Sequence, residues 1–154
     1  MPQTRDVRGD ETFDSRDTIA RRDELREERE ELADALKNLR DDEDNTEPED
    51  RSGAIRDAEE AIRDWDEENA EELAALESFI ENASGYGDFE HGTQCVRDDK
   101  FEDHAREVAG DLTDYDGRSE RWPFTCIDWE KAAHDLQMDY TSADLDGTTY
   151  WFRS

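Results

Sequence analysis

A chain of 154 residues supports one modest hydrophobic core, and 43% charged against 32% hydrophobic residues leaves little apolar surface beyond it. A formal charge of −28 repels nucleic acid and anionic lipid head groups, which argues against direct DNA binding and membrane attachment and makes proteins that themselves hold DNA or RNA the natural partners. No run is long and apolar enough to span a bilayer and the first residues, MPQTRDVRGDETFD, lack the apolar stretch of a signal peptide, so a cytoplasmic location is expected.

Residues 1–17 are polar and without apolar period, and are expected to form a mobile leader. From Thr18 to about Arg40, Leu25, Leu32, Leu36 and Leu39 fall seven, four and three apart, on one face of a first helix. The loop DDEDNTEPED at 41–50 holds seven acids, among them Asp41, Asp42, Glu43 and Asp44, and no base. Within it Thr46 and Glu49 form a capping box that starts a second helix at Pro48. The seam of that helix runs through Ile55, Ala58, Ile62, Trp65, Asn69, Leu73, Leu76 and Phe79, and it ends before Ser84–Gly85. Two such helices joined by a short acidic connection predict an antiparallel hairpin over residues 18–84.

Beyond Gly85 the texture changes. Eleven of the fourteen aromatic residues lie between Tyr86 and Phe152, and turn signals recur, as in a small α+β unit over 85–154. TQCVR reads as a short strand. Asp98 or Asp99 is positioned to cap a helix burying Phe101, Ala105, Val108 and Leu112. Asp128 caps another, with Ile127 as its staple and Trp129, Ala132, Ala133 and Leu136 on its apolar side. Alternation on both sides of Asp146–Gly147 predicts a terminal β-hairpin. The fold class is therefore α+β: an N-terminal antiparallel helical hairpin followed by a small α+β unit that ends in a β-hairpin.

The negative charge is local. Residues 41–84 carry 18 acids against three bases, whereas residues 1–40 carry 12 against nine. On the second helix Asp57, Glu60, Asp64, Glu67 and Glu71 step by three and four on the side away from the seam, and Glu59, Asp66, Glu68 and Glu72 flank them. Like charges at this spacing cost a few tenths of a kcal/mol per pair. The ridge spans about 21 Å, and with its flanking acids its charge density approaches one strand of B-DNA, one charge per about 3.4 Å. Such a rod can occupy a basic groove built for phosphates, a DNA-binding protein or nuclease complex supplying the compensating cations. A merely solvated face is one alternative. Adaptation to high salt is another, suggested by three lysines against sixteen arginines. A helical scaffold that zips onto a partner helix through its seams is a third.

Chemistry-bearing motifs are few. His91, His104 and His134 fall in no metal-ligand spacing, and a solvent-facing or capping role is expected for them. Cys95 and Cys126 read as two small buried or half-buried thiols rather than a disulfide. Trp65 and Trp129 occupy apolar helical positions and are expected in the core, while Tyr150, Trp151 and Phe152 alternate so that at least one faces outward, either as a homodimer contact or as an ordinary surface aromatic. No phosphate loop, nucleophile elbow or calcium loop is present, so neither catalysis nor a cofactor or metal is expected.

The stretch WPFTCIDWEKAAHDLQMDYTSADLDGTTYWFR at 122–153, with FEDHAREVAGDL at 101–112 before it, resembles the C-terminal part of ArdA-type antirestriction proteins of phages and plasmids. The resemblance covers roughly residues 86–153. It implies an acidic, DNA-mimicking inhibitor that occupies the DNA-binding groove of a type I restriction-modification enzyme in a bacterial host. The N-terminal hairpin departs from the family pattern, and a CRISPR effector, which also holds nucleic acid in positively charged channels, is the alternative target.

Overall fold

The computed structural model describes residues 4–42, 48–113 and 122–154. A short strand β1 (Thr12–Asp14) leads into α1 (Ser15–Asp41), which returns as α2 (Pro48–Ala83). Then come β2 (Gln94–Arg97), α3 (Phe101–Leu112), α4 (Trp129–Gln137), β3 (Tyr140–Leu145) and β4 (Thr148–Arg153). The four strands form one antiparallel sheet in the order β1-β2-β4-β3.

Alternation along these strands makes the sheet the middle of three layers. Phe13, Cys95, Ala143, Leu145, Tyr150 and Phe152 point to one face and join Leu25, Leu76, Phe79 and Ile80 of the helical hairpin. Val96, Tyr140 and Trp151 point to the other and meet Phe101, Ala105, Ala133 and Leu136 of α3 and α4. Phe79 is the hub of the first layer, with ring centroids 5.9 Å from Phe13, 5.6 Å from Phe89 and 6.3 Å from Tyr150. Hairpin and sheet share this core, so the division at residue 84 is a change of texture rather than a boundary between separately packed units.

Residues 4–17 are not a loose leader. Val7 and Phe13 are buried, β1 pairs with β2 through Phe13 and Cys95, and the Tyr150 hydroxyl donates to the Asp10 carbonyl at 2.8 Å. A three-residue strand is too short to leave a readable alternation, and burial of one phenylalanine, about 2 kcal/mol, is what holds it. The first helix accordingly starts at Ser15, with the Asp14 carboxylate accepting from the Arg16 N–H at 2.9 Å.

The second helix begins at Pro48 as its N1 signal predicts, whereas Thr46 lies outside the described residues. Neither Asp98 nor Asp99 caps α3: Asp98–Lys100 form a 3₁₀ turn, Asp98 accepts from the Trp151 indole at 2.8 Å and Asp99 pairs with Arg97. Asp128 does cap α4, accepting from the Lys131 N–H at 3.1 Å. The buried face of α3 stops short as well, with Val108 half-buried and Leu112 fully at the surface. Ile127 is exposed, Cys126 is exposed where a sheltered thiol was expected, and Cys95 is buried, its pKa pushed up to about 12 by desolvation.

Gly87 adopts φ +53°, and a Cβ there would sit 2.5 Å from the Arg153 carbonyl oxygen. Gly87→Ala is expected to cost about 1–3 kcal/mol, read as a lower urea midpoint at unchanged m-value.

His104 lies half-buried beside Phe101 and bonds the Tyr140 hydroxyl at 2.9 Å. Burial lowers its pKa below 6.5, with Glu107 opposing. The unfolded chain then binds a proton that the folded one refuses. Stability should therefore fall as pH drops below 6.5 and through the folded-state pKa, a loss that His104→Gln removes in urea melts across that window. The carboxyls of Asp6 and Asp14, held low by Arg8 and Arg16, lose their contribution only below 3.8, so the two effects separate.

Candidate partner-binding surface

At 100° per residue the hairpin presents three differently charged sides. Toward one side, arginines of α1 reach carboxylates of α2: Arg26 to Glu77 at 3.0 Å, Arg29 to Asp66 at 2.8 Å and Arg40 to Glu59 at 2.8 Å. This ladder fixes the helix register, each exposed rung contributing at most about 1 kcal/mol. The two helices pack along each other, and Leu32, Leu36 and Leu39 of α1 and Ile55 and Ile62 of α2 are all half-buried. The two seams thus shelter each other in part and leave each residue partly accessible.

The second side faces the sheet. There Arg21 donates to both carboxylate oxygens of Glu72, at 2.7 and 3.1 Å, and the hydrogen bond raises the arginine's pKa. Glu24 and Thr4 complete the cluster, which ties the start of the described chain to both helices. Glu72 is only 5% exposed.

The third side, away from the seam, carries Asp57, Glu60, Asp64, Glu67 and Glu71, all exposed, and none of them has an ion-pair partner among the described residues. Glu68 is exposed beside them, and Arg56 and Arg63 stand on the flank. The four flanking acids therefore divide. Glu68 joins the ridge, Glu59 and Asp66 turn to the arginine ladder, and Glu72 is withdrawn into the interior, where it cannot meet a partner. Heptad spacing alone hid this, because an acid one or two positions off the ridge reaches across to α1 when an arginine faces it. At the distal end Asp41 is exposed and Asp42 closes α1, whereas Glu43 and Asp44 lie outside the described residues.

Elsewhere, some carboxylates have local structural roles. A cleft of about 720 Å³ between α3 and α4 is lined by Asp98, Glu102, Asp128, Lys131 and His134 over Phe101. Of these acids, Asp98 holds Trp151, Asp128 caps α4 and Glu102 pairs with Arg106, whose guanidinium lies 5.4 Å from the Trp129 ring centroid. His91 and His134 are exposed, and the described residues hold no group of His, Cys, Asp and Glu arranged for a metal. Trp65 is half-buried, its indole N–H donating to Glu28 at 3.1 Å. No helix among the described residues is long and apolar enough to cross a membrane. Compared with known proteins, the chain matches no family model, no curated relative and no solved structure.

Proposed function

We propose that this protein is a non-enzymatic inhibitor that presents the α2 ridge to a phosphate-binding groove of a bacterial defence nuclease, in the place a DNA strand takes. One observation supports the reading: acids that face α1 are matched with arginines, while the five ridge carboxylates are exposed and have no ion-pair partner among the described residues. The α1 arginines Arg26, Arg29 and Arg40 go to Glu77, Asp66 and Glu59 instead of the ridge. Each ion pair with a partner at a wet interface is worth about 1 kcal/mol, so affinity is cumulative and falls steeply with salt. A type I restriction-modification enzyme is the first target, in line with the ArdA resemblance of residues 86–153, and a Cas effector complex the alternative.

The test is competition. A type I restriction enzyme and a Cas effector, in parallel arms, are titrated with the protein in the presence of labelled duplex. Loss of bound duplex in proportion to added protein is expected in one arm, shifting to higher concentration as salt rises. A ternary complex in which duplex and protein bind without weakening each other overturns the reading.

A second reading, a surface adapted to high salt, is favoured by exposed acids far from the ridge, including Glu102, Asp103 and Glu107 on α3, Asp135 on α4 and Asp144 on β3. Thermal melts in dilute buffer and in multimolar KCl separate the two. An inhibitor working at ordinary ionic strength is already folded in dilute buffer, whereas a salt-dependent surface is not.

A further inference from the structure

The 36 residues of α2 extend about 54 Å, while six-residue strands cover about 20 Å, so the hairpin overhangs the sheet by about 30 Å. The burial pattern follows the overhang: no described residue between Arg26 and Glu71 is buried, whereas Leu76, Phe79, Ile80 and Ala83 beyond them are. The sheet-facing stripe of α2 nevertheless continues past the sheet. From Ala83, Phe79, Leu76 and Glu72 the same helical phase returns at Trp65, Ala61 and Ala58, and Trp65 is the last to touch the shared core. The bond from Trp65 to Glu28 fixes which side of α1 adjoins this stripe, and there Leu32, Ala35 and Leu39 stand. The overhang therefore has a shallow apolar trough with nothing described over it.

Charge around the trough is one-sided. Its rims carry Glu28, Glu31, Asp57 and Glu68, all exposed. Arg26, Arg29 and Arg40 are committed to the ladder on the opposite side, and the phases of Lys37, Arg56 and Arg63 point to that side too; Arg51, near the tip, is the exception. A second copy of the chain would bring two acid-rimmed troughs together, a juxtaposition costing several kcal/mol.

We infer that the overhanging trough docks a basic amphipathic helix of a partner protein, about 20 residues long, with its apolar residues on the Leu32–Trp65 floor and its lysines or arginines against the carboxylate rims. Ala58 and Ala61 let the helix axes approach closely, and Trp65 and Leu32 supply the large apolar contacts. The floor of the trough lies on a different side of α2 from the ridge, with which it shares only Asp57 and Glu68 at one rim, and the inference stands whether or not the ridge enters a phosphate groove.

The probe is a fluorescein-labelled peptide of leucine and lysine, about 20 residues, with leucines at i, i+3, i+4 and i+7. Its control is a scramble of identical charge with the leucines dispersed, and both are titrated by anisotropy at about 0.15 M KCl. The amphipathic peptide is expected to bind at least about tenfold tighter than the scramble. Ala58→Asp with Ala61→Asp should weaken it about tenfold although two negative charges have been added, with helicity checked by circular dichroism. Ala35→Asp, at an exposed position that does not carry the fold, should weaken it in the same direction. Equal binding of both peptides, or tighter binding by the aspartate variants, reduces the effect to bulk charge and overturns the inference. Light scattering that finds a dimer of the protein alone, dispersed by Ala58→Asp with Ala61→Asp, overturns it in favour of a second copy.

Discussion

Reversing Asp57, Glu60, Asp64, Glu67 and Glu71 to lysine together is expected to weaken competition with duplex DNA by more than about a hundredfold while helicity and thermal midpoint stay near those of the parent. Each reversal removes one attraction of about 1 kcal/mol and introduces a repulsion of similar size, so even partial additivity over five sites exceeds the 2.7 kcal/mol or so that a hundredfold change requires. Folding is spared because the ridge side chains are exposed and make no ion pairs among the described residues. Reversal of a single ridge residue should cost only a few-fold, and the loss should diminish as salt is raised. Inhibition measured in a DNA-cleavage assay decides the matter: a quintuple variant that inhibits normally moves the contact surface elsewhere. Lysine at Glu59 and Asp66 is a useful contrast, since it breaks the ladder to Arg40 and Arg29 and should lower stability with little effect on competition.

Arg21→Ala should be the most damaging single change outside the aromatic core. Glu72 has 6% of its side chain exposed and both its oxygens accept from this one guanidinium. Removing the arginine strands a buried carboxylate at a cost of about 3 kcal/mol, and frees Thr4 and Glu24 from the same cluster. For a chain of this size that is a fall in melting temperature of about 6–12 °C. The paired change Arg21→Met with Glu72→Leu should recover most of it, because the interior then holds no unmatched charge. Urea melts of the three variants check the order wild type, double variant, single variant. A single variant as stable as wild type would mean that water reaches Glu72 in place of the arginine.

Strong local signals were legible in the sequence. Heptad spacing located both long helices, Pro48 marked the start of the second, Asp128 capped α4 and Asp146–Gly147 turned the terminal hairpin. What escaped depended on partners distant along the chain. Phe13 is informative only once Phe79 and Tyr150 surround it, so β1 looked like part of a loose leader. Asp98 has the sequence features of a helix cap, yet the indole of Trp151, from a strand 50 residues away, takes its carboxylate. The ridge itself was legible because it needs only the helical repeat. Its edges were not, because whether Glu59, Asp66 and Glu72 look outward is decided by arginines on the neighbouring helix, and the side-to-side phase of one helix against another is not written in either alone.

The strand order has a consequence for assembly. β4 lies inside the sheet, between β2 and β3, and β1 meets β2 across some eighty residues of intervening chain. During synthesis α1 and α2 can zip as soon as residue 83 is out, since their contacts are sequential neighbours, but β1 and β2 cannot join β3 before residues 148–153 arrive. For that interval Phe13, Phe79 and Cys95 lack their cover, and the highly charged hairpin beside them works as a built-in solubiliser, repelling other nascent copies until the keystone strand is in place.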